Sequence, residues 1–152
     1  MNTRIPPDLV LLICGLSMWV FSRLFPQVVV TFRHSTLLSG TILVVGLVLS
    51  MSGIAALSTR HTTVRPDRSP LQKASTLVTS GIYRYTRNPV YLGMAVMLLG
   101  WAFLLENWVS LGGVAMFIAF ITRYQIIPEE RVLSAIFGDA FAAYRRQTRR
   151  WV

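Results

Sequence analysis

The heptapeptide Arg87-Asn88-Pro89-Val90-Tyr91-Leu92-Gly93 ends a basic, polar loop and opens an apolar stretch. Asn is a favoured N-cap and Pro is favoured at the first helical position, so this spacing predicts a helix starting at Pro89. Arg87 stands just outside that helix mouth, where unpaired backbone N–H groups and the positive end of the dipole can receive an anion. Further along, Arg123 lies near the inner end of the last long apolar stretch and is followed by Glu129 and Glu130. A guanidinium at that depth costs free energy unless it is paired or wetted, so Arg123 marks a site or else snorkels to the interface. Glu129 and Glu130 can hold a cation, or they can complement the dipole of a helix begun by Pro128. The bland alternatives for the other residues also stand: Asn88 as a cap, Tyr83 and Tyr91 as interfacial aromatics, Gly93 as a close-packing position. An anion-accepting helix mouth, acids and tyrosines at the lip of a membrane helix suit chemistry on lipid-borne substrates.

Other chemistries lack their residues. No glycine-rich phosphate loop follows a strand, and Gly112-Gly113 sits in an apolar stretch, which argues against a Rossmann-type nucleotide site. His34 and His61 are isolated and fall on opposite sides of the expected membrane, so no metal site is expected. No serine-centred nucleophile motif occurs. The single cysteine, Cys14, lies within an apolar run and reads as a small apolar residue.

The elements that must position these residues follow from composition. The 152-residue chain is 53% hydrophobic and only 14% charged, which points to one membrane-embedded domain over residues 1–152. Its net charge of +9 lies in two arginine-rich blocks beside apolar segments, a pattern of membrane topology and anionic headgroups rather than of nucleic-acid binding. Four spans are expected, at about 9–24, 36–57, 90–105 and 108–127, in an all-α polytopic fold. The first resembles a signal peptide in its flanking Arg4 but lacks a small-residue cleavage pattern, and is read as retained.

Arg60, Arg65, Arg68, Lys73, Arg84 and Arg87 crowd segment 58–89, and Arg131, Arg145, Arg146, Arg149 and Arg150 crowd segment 128–152. Both blocks and both termini are therefore expected in the cytoplasm, with the protein in a bacterial inner membrane. After Pro128, residues Val132, Leu133, Ile136, Phe137, Ala140, Phe141 and Tyr144 recur at helical steps, predicting an amphipathic helix that packs on the loop pocket or lies on the membrane surface.

Three ordered blocks carry a resemblance. Thr76-Leu77-Val78-Thr79-Ser80-Gly81-Ile82-Tyr83, then the heptapeptide 87–93, then Glu129-Glu130 with Leu133, Phe137, Gly138 and Tyr144, resemble the isoprenylcysteine carboxyl methyltransferase family and its phospholipid methyltransferase relatives. The resemblance covers roughly residues 75–151. It implies an integral membrane methyltransferase with S-adenosylmethionine in a cytosolic pocket. By position, the cofactor contacts would fall on Ser75, Thr76, Leu77, Val78, Tyr83, Asn88, Pro89, Val90 and Tyr91, with Arg87 beside them. Arg123 matches a substrate-side arginine, and a glutamate contact falls near Ile127, Glu129 and Glu130. Glu129 is assigned to the cofactor and Glu130, with Arg123, to catalysis. The chain departs from the family where Asn88 stands in place of a frequent His and Ile82 in place of a frequent Pro. Asn can hydrogen-bond a cofactor but cannot carry a proton near neutral pH.

The implied chemistry suits these residues. The helix mouth and Arg87 fit a carboxylate, a glutamate fits an ammonium, and tyrosine faces fit a sulfonium. Methyl transfer is an in-line displacement that needs alignment and water exclusion more than a strong base. The acceptor would be lipophilic or prenylated, bearing a carboxylate, thiol or amine, with membrane lipids around it and Arg123 holding it if anionic. Two rivals remain at this point. One is a sterol-type reductase relative using NADPH, which shares the Arg-x-x-x-Tyr-x-Gly block. The other is a small four-helix transporter or structural protein, for which the available acids, Asp8 and Glu106, lie at span edges.

Overall fold

A computed structural model describes residues 5–28, 35–59 and 76–152; Ser75, His34, His61 and the basic residues Arg60, Arg65, Arg68 and Lys73 lie outside them. The described chain is helical. Helix α1 covers Pro7–Leu24, α2 Ser35–Ser58, α3 Pro89–Leu105, α4 Trp108–Ile121 and α5 Ile127–Gln147. A 3-10 turn at Gly81–Arg84 precedes α3, and a π-helical segment at Thr122–Ile126 joins α4 to α5.

Three of these stretches are long and apolar enough to cross a membrane: α1, α2 and the continuous run from α4 into α5. Helix α3, with 17 residues, is shorter and lies at the centre, in contact with α1, α2 and α4. Its Tyr91, Gly93, Met94, Ala95, Leu98, Gly100 and Ala102 are buried, while α1 and α2 turn Leu12, Leu16, Leu37 and Val44 outward. Outward leucines and valines are what a bilayer solvates, and the central helix is shielded by its neighbours.

Small residues set how closely α2 and α3 approach. A methyl group on Gly46 would lie 2.7 Å from the Gly93 carbonyl, and one on Gly93 would meet the Gly46 carbonyl and Ser50. Gly53 faces Pro89 and Val90, and Gly100 faces Ser39 and Leu43, so the two helices run antiparallel in near-backbone contact. The Ser50 hydroxyl, buried between them, donates to the Val90 carbonyl at 2.9 Å.

Helix α1 runs antiparallel to α4. The Gln125 amide donates to the Ile5 carbonyl at 2.6 Å, Gly113 makes room for Met18, and the Asn107 amide donates to the Phe25 carbonyl at 2.9 Å. Helices α3 and α4 form a tight hairpin: Glu106 takes a left-handed conformation (φ 48°), and the Asn107 carboxamide oxygen accepts from Val109 N–H at 2.9 Å. Residue 5, the start of α3 and the C-terminal tail therefore share one side of the bundle.

The last helix departs from expectation. Instead of a new helix at Pro128, the chain continues from α4 through the π segment, where Ile127 N–H reaches back five residues to the Thr122 carbonyl. Pro128 has no N–H to offer the preceding turn, and the wider turn accommodates it without a break. The amphipathic stripe is also cut short, because Gly138 (φ 48°, ψ −121°) leaves the helical region. Of its residues Phe141 and Tyr144 are buried, while Ala140 is exposed.

Candidate active site

Residues 83–91, 129–130 and 144–151 converge on the side of the bundle where α3 begins. The first shared feature is a buried ion triad. Glu130 accepts from Arg87 Nη2 at 2.9 Å on one carboxylate oxygen and from Arg150 Nη2 at 2.8 Å on the other. The Glu130 and Arg87 side chains are 10% and 9% exposed, so each charge depends on the other for compensation. Burial alone would raise the Glu130 carboxyl, but the hydrogen bond and charge of Arg150, and then those of Arg87, outweigh it and hold the group below its ordinary value. Reciprocally, the bond to Glu130 raises Arg150.

Arg87 also braces the backbone. Its Nη1 donates to the carbonyls of Arg145 at 3.1 Å and Thr148 at 2.7 Å, leaving its buried Nε without a protein partner. Arg87 thus has a structural role that its sequence position did not show: three side-chain bonds, to Glu130, Arg145 and Thr148, tie the tail and α5 to the start of α3. Asn88 is corrected too. Helix α3 does start at Pro89, yet the Asn88 side chain does not cap it; the Asn88 amide donates to the Arg150 carbonyl at 2.9 Å. Capping lost to a tertiary contact, which also draws Thr86 beside Arg149 in a parallel bridge.

The second feature is an acid–tyrosine group. The Tyr91 hydroxyl, one turn into α3, donates to Glu129 at 2.7 Å. The Tyr144 hydroxyl donates to the Tyr83 carbonyl at 2.6 Å, docking the end of α5 on the 3-10 turn. Burial, then the neighbouring Tyr144 phenol and the Glu129 carboxylate, push the Tyr83 phenol well above its ordinary value. Tyr144 is pushed up to about 12, mainly by burial. Both phenols stay neutral near pH 7, and the Tyr144 hydroxyl is committed to the Tyr83 carbonyl.

Of the other residues singled out from sequence, Thr76 is exposed, Leu77 half-buried, and Val78 and Pro89 buried, with Val90 half-buried against α2. Because α5 continues from the π segment, Glu129 and Glu130 do not merely decorate a fresh helix start; they face Tyr91 and the two arginines. Arg123 stands apart from this network. It is exposed, with its guanidinium 5.9 Å from the centre of the Tyr124 ring. Sequence reasoning missed Arg150, Thr148 and Trp151, whose indole donates to the Thr122 hydroxyl at 3.2 Å. In sequence Arg150 reads as one of the topology-setting arginines, and its place in a short tail after α5 is the signal that sets it apart.

Comparison with known proteins adds the family. A profile for phospholipid methyltransferases matches residues 34–140. An uncharacterized protein of Haemophilus influenzae is 38% identical over 63 residues, 41% of this chain and the whole of that protein. The Protein-S-isoprenylcysteine O-methyltransferase of Schizosaccharomyces pombe is 37% identical over 79 residues, 52% of this chain but 34% of the yeast enzyme. With the helices, the ion triad and the acid–tyrosine group already in place, the match over most of the chain shows that it belongs to the phospholipid methyltransferase family of integral membrane methyltransferases.

Proposed function

We propose that this protein transfers the methyl group of S-adenosylmethionine to a lipophilic acceptor at the membrane face where α3 begins. The observation that carries the reading is the Tyr91–Glu129 contact at 2.7 Å in the first turn of α3. The donor set fits the cofactor: an acid for an ammonium, tyrosine rings for a sulfonium, and a helix start with the unpartnered Arg87 Nε for a carboxylate. Both oxygens of Glu130 are spent on guanidinium groups, so Glu129 takes the ammonium and Glu130 holds the arginines in place. When bound, the cofactor supplies an electrophilic methyl on sulfur. Asn88, tied to the tail, shapes the site and moves no proton. Arg123 is assigned to an anionic acceptor at the rim, a carboxylate or thiolate whose apolar part lies against the helices. The residues 75–78 would complete the cofactor wall, and the cytoplasm is the side from which the cofactor enters.

Binding of labelled S-adenosylmethionine to the detergent-purified chain, with NADPH in parallel, tests this. Saturable S-adenosylmethionine binding that weakens about tenfold or more in Glu129→Gln is expected, the loss of one charged hydrogen bond being worth roughly 1.5–3 kcal/mol. Binding of NADPH alone, or of neither, would overturn the reading. Arg123→Ala should spare cofactor binding and lower acceptor affinity in a reconstituted assay; unchanged methylation would remove Arg123 from the site.

A further inference from the structure

The contacts that assemble the buried triad also gather unpaired charge on the outside. Arg87 N–H donates to the Arg149 carbonyl at 3.0 Å, the Thr148 hydroxyl to the Arg84 carbonyl at 3.4 Å, and Arg87 Nη1 to the Arg145 carbonyl. Backbones 84–87 and 145–149 therefore lie side by side. The side chains of Arg84, Arg145, Arg146 and Arg149 are exposed, and neither ion pair among the described residues uses them. Arg149 Nη1 reaches the Val152 main-chain oxygen at 3.5 Å. Asp139 is exposed on α5, on the same side of the Gly138 break as Arg145 but more than a turn away from it.

The depth of this group is set by the chain itself. Arg84 lies five residues before Pro89, where the apolar helix α3 starts, which brings the four guanidinium groups close to the end of the apolar bundle. Between them Tyr85 is 74% exposed, an amphipathic ring of the kind that settles at headgroup level. Four to eight cations directly beside a membrane helix attract anionic headgroups, and arginine forks match phosphate oxygens. We propose that Arg84, Tyr85, Arg145, Arg146 and Arg149 form a binding surface for anionic phospholipid headgroups, which enriches such lipids around the mouth of α3. This surface is independent of which cofactor or acceptor the site takes.

The test is lipid selectivity of the full chain reconstituted in phosphatidylcholine, read by electron spin resonance of spin-labelled phosphatidylglycerol against spin-labelled phosphatidylcholine. At low salt the protein-associated fraction should favour phosphatidylglycerol by roughly threefold or more, collapsing towards equality at about 1 M salt, where the screening length is ~3 Å. The double variants Arg84→Gln/Arg149→Gln and Arg145→Gln/Arg146→Gln should each lose about half of that preference, and the two are read separately so that no single variant must fold. Arg23→Gln, at the other end of α1, should leave it unchanged. Equal association of the two lipids with the unaltered chain would overturn the proposal. So would full selectivity in both double variants, or its loss in Arg23→Gln.

Discussion

Replacing Glu130 by Gln keeps the shape of the ion triad and removes its negative charge. Arg87, 9% exposed, would then hold a buried charge against two carbonyls and an amide. Breaking a buried pair in this way costs about 3–5 kcal/mol in well-enclosed sites. Arg150 is 35% exposed and can turn to water, so its share is worth little, and the two carbonyls still solvate Arg87. The expected loss is about 2–3 kcal/mol, roughly 30- to 150-fold in the ratio of folded to unfolded protein. Denaturant-driven unfolding in mixed micelles would read it, followed by tryptophan fluorescence.

The sign with pH is fixed by the lowered Glu130 carboxyl. Its contribution is present in full above the ordinary value of 4.5 and is lost as the pH falls below that through the folded-state value. The gap between wild type and Glu130→Gln should therefore be constant around neutrality and shrink in acid. A double-mutant cycle with Arg150→Gln separates the partners: if the two effects simply add, Arg150 and Glu130 are not coupled. Equal stability of Glu130→Gln and wild type at pH 7, or a gap that widens in acid, would refute the reasoning.

Three further outcomes follow from the packing. Gly93→Val should cost about 3 kcal/mol or more, because the new carbons meet the Gly46 backbone and Ser50, whereas Gly112→Ala, with nothing within 4 Å of the new carbon, should change stability little; unfolding curves in micelles compare them. Asn88→Ala should lose about 1 kcal/mol through the bond to the Arg150 carbonyl, and Asn88→Ser, although a good N-cap, should not recover it; recovery would restore the capping reading. Gly138→Ala should cost roughly 1–2 kcal/mol despite open space around it, because its φ of 48° with ψ of −121° suits glycine alone; an unchanged melting curve would show that the break relaxes.

What was legible in the sequence and what was not divide along physical lines. Apolar runs, Pro89 and the two-residue link at Glu106-Asn107 report local preference and burial, and the helices fall within a few residues of the stretches they predict. The heptapeptide 87–93 and the glutamates were visible because cost and chemistry restrict their residue types. Asn88 was misread because a cap and a tail-binding amide need the same side chain, and only the position of residue 150 decides between them. Pro128 was misread for a similar reason. A proline signals a helix start locally, but a π turn lets the helix pass through it. Arg150 was invisible as a site residue because an arginine that sets topology and one that closes a buried triad are identical in sequence.

These contacts also explain how two parts of one packed bundle are held in register where α3 begins. Helix α3 carries Asn88 and Tyr91, and its position is set by the glycine contacts with α2. The two glutamates ride on the α4–α5 rod, set by α1 and the π segment. At the end where α3 begins, polar bonds add to the apolar core that Tyr91 shares with Ile121 and Ile126: Tyr91 to Glu129, Arg87 to Glu130, and Tyr144 to the Tyr83 carbonyl. The tail then bonds to both, through Arg150 to Glu130 and through its carbonyls to Arg87 and Asn88. Apolar packing tolerates sliding, since contact area changes little with a small shift, but hydrogen bonds of 2.6 to 2.9 Å do not. The tail and the triad therefore fix the register of α3 against the α4–α5 rod at this end more sharply than the helix packing alone can.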